Sequence, residues 1–147
     1  YNFLLPEEFK AQECVMSELF GTESSTHEIE SMEDVSGITG QLVDFQDRLN
    51  KEFHDVPVQW APTLTASEME DWYSIRSFRT RRKCFYPWRG LLVDANGKIY
   101  PCSKIYLELG DMGGQDIFEA WNSQTMKKFR SQLKKGLFPA CSRCCKL

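Results

Sequence analysis

Five cysteines lie in the second half of the chain, at Cys84, Cys102, Cys141, Cys144 and Cys145, and a sixth stands apart at Cys14. Thiolates are soft ligands for zinc and for iron–sulfur clusters, and a tight loop can aim two sulfurs at one centre when two residues separate them. Cys141-x2-Cys144 has that spacing. Cys84 and Cys102 are separated by 17 residues, in the pattern Cys84-x12-Gly97-x4-Cys102, and they bracket a hairpin signal. Pairing the strands about Asn96-Gly97 sets Cys102 opposite residues 89–91, and a bend at Pro87-Trp88 returns Cys84 towards it. The hairpin then supplies two ligands and the tail two more. Cys145 is the spare, able to replace Cys144 in a Cys141-x3-Cys145 arrangement. A zinc ribbon presents two compact Cys-x2-Cys knuckles, whereas an iron–sulfur cube accepts ligands from distant segments. Spacing alone leaves iron–sulfur, zinc, and disulfides or plain buried thiols open.

Other chemistry is poorly represented. His27 and His54 are isolated in polar surroundings, and no Ser-His-Asp, Cys-His or paired-carboxylate arrangement is readable. Gly110-Asp111-Met112-Gly113-Gly114 lacks the Lys-Ser/Thr of a phosphate-binding loop and reads as an ordinary loop. Cys14, in a helix beside Val15, Met16 and Leu19, reads as a buried small hydrophobe. Trp60, Trp72, Trp88 and Trp121 read as packing residues. Arg76, Arg79, Arg81, Arg82 and Lys83 directly precede Cys84. They read either as cations that offset an anionic metal centre or as a solvated basic connector.

The scaffold that must position the thiols is a chain of 147 residues with 41% hydrophobic and 13% aromatic content, enough for one domain or two small ones. Its apolar runs are too short to span a membrane, and the start Tyr1-Asn2-Phe3-Leu4-Leu5-Pro6 carries no secretory signal, so a cytoplasmic location is expected. In such a compartment a thiol cluster points to metal rather than to a disulfide framework. Lacking an initiator Met, the sequence reads as a piece of a longer polypeptide. Charge divides sharply. Residues 1–75 hold 16 Asp and Glu against 3 Lys and Arg, a balance of −13, while residues 76–147 hold 5 acids against 15 bases, a balance of +10. Without basic and aromatic residues gathered on one surface face, no nucleic-acid partner is expected.

Local signals predict a helix over Pro6–Phe20, with Pro6 at its start and Gly21 at its end, and a polar loop over residues 21–32. A second helix is predicted over residues 40–53, burying Leu42, Phe45, Leu49 and Phe53, with Ile38 extending the stripe. A short strand is expected at residues 56–60. The capping box Thr65-Ala66-Ser67-Glu68 opens a third helix to about Phe78, burying Met69, Trp72, Tyr73 and Ile75. Helix, helix, strand, helix over residues 1–78 has the texture of the last units of an α/β barrel. A second domain over residues 79–147 is expected to hold the Leu92–Tyr100 hairpin and helices at 117–121 and 125–135. The latter buries Met126, Phe129 and Leu133 and stops at Gly136.

Cys84-Phe85-Tyr86-Pro87-Trp88-Arg89-Gly90 through Gly97-Lys98-Ile99-Tyr100-Pro101-Cys102 resembles the opening of the SPASM/twitch region of radical S-adenosylmethionine enzymes. Leu109-Gly110-Asp111-Met112, the segment from Ile117 to Ser123 and Cys141-Ser142-Arg143-Cys144 follow in that family's order. The resemblance implies an α+β fold: a remnant of a partial barrel, then a small hairpin-plus-helix SPASM/twitch domain. It implies one auxiliary [4Fe–4S] cluster on Cys84, Cys102, Cys141 and Cys144, in the shorter twitch form, because few residues follow Cys144. It also implies an oxidoreductase or maturase in which the cluster carries electrons or orients a peptide or small-molecule substrate. The chain holds no Cys-x3-Cys-x2-Cys. Cleavage of S-adenosylmethionine, with its own [4Fe–4S] cluster, is therefore expected of an upstream barrel in the same polypeptide, and this segment alone is not expected to be catalytically competent. The alternative is a non-catalytic four-cysteine zinc module.

Overall fold

The computed structural model of the protein describes residues 4–22, 37–74, 78 and 80–147. Three helices come first: α1 (Pro6–Phe20), α2 (Ile38–Glu52) and α3 (Ala66–Ser74). A 3-10 turn at Tyr86–Trp88 leads into β1 (Leu92–Val93), β2 (Lys98–Tyr100) and β3 (Gly110–Asp111). Then come α4 (Ile117–Asn122), α5 (Gln124–Lys135) and a closing 3-10 turn at Pro139–Cys141. Helices and a small antiparallel sheet make an α+β fold.

The helix ends follow their local chemistry. Glu8, two residues beyond Pro6, reaches back to accept the Leu5 N–H at 3.0 Å, and Gly21 closes α1 in a left-handed conformation, φ 68°. At α3 the capping box closes in both directions: Glu68 accepts the Thr65 N–H at 3.0 Å, and Thr65 Oγ1 accepts the Glu68 N–H at 3.2 Å. Asp116 caps α4 through the Phe118 N–H, and Ser123 caps α5 through the Met126 N–H. The polar segment 23–32 and Ile75 lie outside the described residues, as do Arg76, Arg79 and His27.

The sheet runs in the order β1-β2-β3, all antiparallel. Leu92 pairs with Tyr100 and Val93 with Ile99, a register that carries Cys102 towards Gly90, inside the expected stretch. The turn differs in detail from a two-residue Asn-Gly hairpin. Asp94 Oδ1 accepts the Asn96 and Lys98 N–H groups, and the Gly97 N–H bonds the Asp94 carbonyl. Only Gly97, at φ 83°, is left-handed there, as in a three-residue loop with its glycine last. The expected loop at 110–114 begins as strand: Gly110 pairs with Ile99 and Asp111 with Lys98.

The main core gathers Leu4 and Met16 of the N-terminal segment with Ile99, Ile105, Leu107, Leu109, Met126 and Phe129, among others, and it includes Cys141. Phe129 stacks on Phe138 at 4.9 Å, with Phe20 tilted against both. Leu133 is half-buried beside this core, completing the predicted stripe of α5. A smaller cluster centres on Trp72 with Leu5, Ile38, Leu64, Tyr73 and Phe78.

Three expectations fail here. Residues 56–60 form no strand: Pro57 removes a ladder donor, and no other strand lies alongside among the described residues. The stripe of α2 is not buried; Phe45 is 42% exposed and Phe53 50%, no residue of that helix is fully buried, and Ile38 alone packs against the smaller Trp72 cluster among the described residues. Cys14 is exposed, because the inward face of α1 runs through Glu8, Gln12 and Met16, one helical turn apart, and position 14 points away from it. Its thiol instead faces Glu18 at 3.4 Å, and that neighbour pushes its pKa up.

Candidate metal centre

Cys84 stands just before the Tyr86–Trp88 turn, Cys102 just after β2, and Cys141 and Cys144 in the closing turn of the chain. The turn at Tyr86–Trp88 is held by the Arg89 and Gly90 N–H groups on the Tyr86 carbonyl and by Arg130, whose Nε donates to the Pro87 carbonyl at 2.9 Å. The Cys144 N–H bonds the Cys141 carbonyl at 3.2 Å, which folds the Cys-x2-Cys loop back on itself. All six cysteines are free thiols.

The four thiols predicted as ligands share one electrostatic neighbourhood. Burial, first, pushes Cys141 well up, and the charges of Cys102, Cys144 and Cys84 push it further. Cys144 rises to about 11, from burial and then from Cys145 and Cys102. Cys102 is raised by burial and by Cys84. Backbone amides work in the opposite direction. Lys104 and Ile105 donate to the Cys102 sulfur, Phe138 to Cys141 and Lys146 to Cys144. Amide donors aimed at sulfur favour the thiolate and are a principal control on the potential of sulfur-ligated iron. Two cations complete the surroundings. Lys104 is 8% exposed, its pKa lowered by burial and partly restored by the charges of Cys144, Cys145, Cys141 and Cys102. Lys146 sits over the Tyr86 ring at 3.6 Å and lowers the pKa of Cys102.

Such a set is costly to ionise when empty, because burial and mutual repulsion keep the thiols protonated. A bound cationic centre would relieve both terms, with release of protons. The donor chemistry therefore fits a sulfur-ligated metal group. Among the described residues no three His, Cys, Asp or Glu close tightly enough to hold a single ion. Cys145, the spare of the sequence reading, is half-buried and interacts with Cys144 and with Lys104, so it borders the same centre.

The closing loop is locked to α1 by a buried polar network that the sequence did not announce. Arg143, 1% exposed, is paired through Nη1 with the Glu8 carboxylate and donates from Nε to the Trp72 carbonyl at 2.7 Å. Ser142 Oγ donates to the same carboxylate at 3.0 Å, and the Ala140 N–H donates to Gln12 Oε1 at 3.1 Å. Glu8 and Gln12 are spaced i, i+4 on one face of α1, and that polar pairing inside an otherwise apolar stripe is the only signal that could have flagged them. His54 lies on the surface beside Asp55, away from the thiols.

These thiols fall within a recognisable sequence span. Residues 84–145 match SPASM, an iron–sulfur cluster-binding domain. No curated protein and no solved structure matches the chain. The SPASM match begins at Cys84 and ends at Cys145, so it contains every cysteine of the shared neighbourhood and excludes Cys14. It also contains Lys104 and Arg143, whereas Glu8 and Gln12 lie outside it and reach the SPASM segment only through the fold. No helix among the described residues is long and apolar enough to cross a membrane.

Proposed function

We propose that Cys84, Cys102, Cys141 and Cys144 hold one auxiliary [4Fe–4S] cluster in the C-terminal part of a radical S-adenosylmethionine enzyme. The observation that carries this reading is the convergence of these thiols, with Cys102, Cys144 and Cys84 all raising the pKa of Cys141, inside the matched iron–sulfur span. Amide donors to three of the four sulfurs add the polar support that sulfur-ligated iron uses. When bound, such a cluster supplies one-electron storage close to a substrate. The chain's own contribution is position and potential. The hairpin and the closing turn set the sulfurs, Lys104 and Lys146 offset negative charge, and the Glu8–Arg143 pair fixes the Cys-x2-Cys loop against α1.

Four thiols occupying all four positions of the cluster favour electron transfer over direct ligation of substrate. The initiating cluster and the S-adenosylmethionine site belong, in this proposal, to a barrel upstream in the same polypeptide, and the substrate is a peptide or small molecule. A cytoplasmic setting suits reduced thiols. The test is anaerobic reconstitution of the chain with iron and sulfide, followed by assay of iron, acid-labile sulfide and zinc. About four irons and four sulfides per chain are expected. One firmly held zinc with no stable iron would replace this reading with a structural zinc module.

A further inference from the structure

A second concave site takes Cys84 into its lining. It is a half-open cleft of about 530 Å³ between the segment from Thr80 to Trp88 and the end of α5. That volume is within the range of small-ligand sites, roughly 300–1,000 Å³. Arg81, Lys83, Lys134 and Lys135 line it, and no acidic residue does. Arg82 also lines the cleft, but its guanidinium turns away to Glu68 and the Thr63 carbonyl. Lys134 and Lys135 complement the carbonyl end of α5 as well. Arg81 and Lys83 have no such duty. The wall carries two rings, Trp88 and Phe85, the latter 58% exposed.

An exposed lysine on a convex face is usually a solvated one. Here four cationic residues besides Arg82 line one hollow whose lining holds no Asp or Glu, with Cys84 as its one thiol, and an apolar ring stands open beside them. Like charges held together repel, and an anion relieves that repulsion by bridging them through charge-assisted hydrogen bonds. Point-charge lysines and a forked guanidinium suit phosphate oxygens, and a planar group can lie against Phe85 or Trp88. We propose that this cleft binds a phosphorylated small molecule of nucleotide size, its phosphates on Arg81, Lys83, Lys134 and Lys135 and its planar ring on Phe85 and Trp88. Cys84 also lines the cleft, so binding is compared with and without metal on the cysteines.

The test is calorimetric titration of the full chain with ATP, tripolyphosphate, adenosine and an oligoglutamate peptide at physiological salt. It is run on the protein as purified and again after iron loading and desalting. Saturable binding of ATP is expected in both states, tighter than tripolyphosphate and much tighter than adenosine. The double variant Arg81→Ala, Lys83→Ala is expected to weaken ATP by roughly tenfold or more, the size of two lost charge-assisted contacts. Lys127→Ala, a cation of α5 outside the cleft, is expected to leave affinity unchanged. Circular dichroism of each variant separates lost binding from lost fold, and Phe85→Ala, at a ring 58% exposed, supplies a second variant expected to bring ATP down to the affinity of tripolyphosphate. Absence of saturable ATP binding would overturn the proposal. So would an equal loss in Lys127→Ala, or oligoglutamate binding more tightly than either phosphate compound, which would mark the cleft as a docking surface for an acidic protein.

Discussion

Helices α2 and α5 carry the same kind of signal and meet opposite fates. Each presents apolar residues at helical spacing on one face. On α5, Met126 and Phe129 are sealed, at 0% and 1% exposure, against Phe138 and Phe20. On α2, Phe45 meets the edge of Trp60 at 6.3 Å and the Arg48 guanidinium at 5.8 Å and remains 42% exposed. Periodicity states which face seeks cover, and only the surrounding chain decides whether cover is there. The α5 face is covered because Phe138, just before the Pro139–Cys141 turn, stacks on Phe129, and the closing segment from there on carries two of the proposed ligands, Cys141 and Cys144. Core packing and ligand placement are thus one event in the C-terminal region.

The largest expected effects test that contrast directly. Phe129→Ala opens a cavity in the main core and is expected to cost about 4 kcal/mol, whereas Phe45→Ala is expected to cost less than about 1 kcal/mol. Denaturant midpoints of the two variants measure the difference; equal losses would break the comparison. Arg143→Met leaves the Glu8 carboxylate buried without its cation, an expected loss of about 3 kcal/mol. Adding Glu8→Leu to Arg143→Met is expected to recover much of that loss, since the stranded charge is removed. A double variant as unstable as the single one would show that Arg143 matters through its bond to the Trp72 carbonyl instead.

Smaller effects should be alike in both regions, because caps act locally. Thr65→Ala at α3 and Ser123→Ala at α5 each remove one side-chain acceptor, and each is expected to cost about 1 kcal/mol in thermal or denaturant unfolding. The smallest effect is on pH. The Thr65 N–H and then Arg82 hold the Glu68 carboxyl below its usual range. Its contribution is therefore complete above the ordinary glutamate value and is lost as pH falls through the lowered folded value. Glu68→Gln should differ from the parent at neutral pH and converge with it on acidification. A difference that widens in acid would contradict this sign.

The same division explains what could be read from the sequence. Pro6, Gly21, the Thr65-x-x-Glu68 box and Gly136 act within a turn of themselves, so four helix boundaries were legible to within a residue or two. The hairpin register followed from Gly97, although its loop proved one residue longer than the Asn-Gly dipeptide suggests. Strand β3 was illegible because two residues headed by glycine carry no strand signal. It exists because the chain returning through Leu109, whose N–H reaches the Ile99 carbonyl at 2.7 Å, lies along β2. The thiols of the candidate site were readable from residue type and spacing. Their supports were not, since Glu8 reads as one of two acids that complement the start of α1 and nothing about Lys104 foretells its burial. These are long-range facts, set by packing between segments far apart in the chain.

Iron content measured cysteine by cysteine separates the four proposed ligands from the other two thiols. Each of Cys84→Ala, Cys102→Ala, Cys141→Ala and Cys144→Ala, reconstituted anaerobically beside the parent, is expected to lose stable iron and sulfide. Cys14→Ala and Cys145→Ala are expected to keep about four of each. Iron retained by any of the first four, or lost from Cys145→Ala, would contradict the assignment.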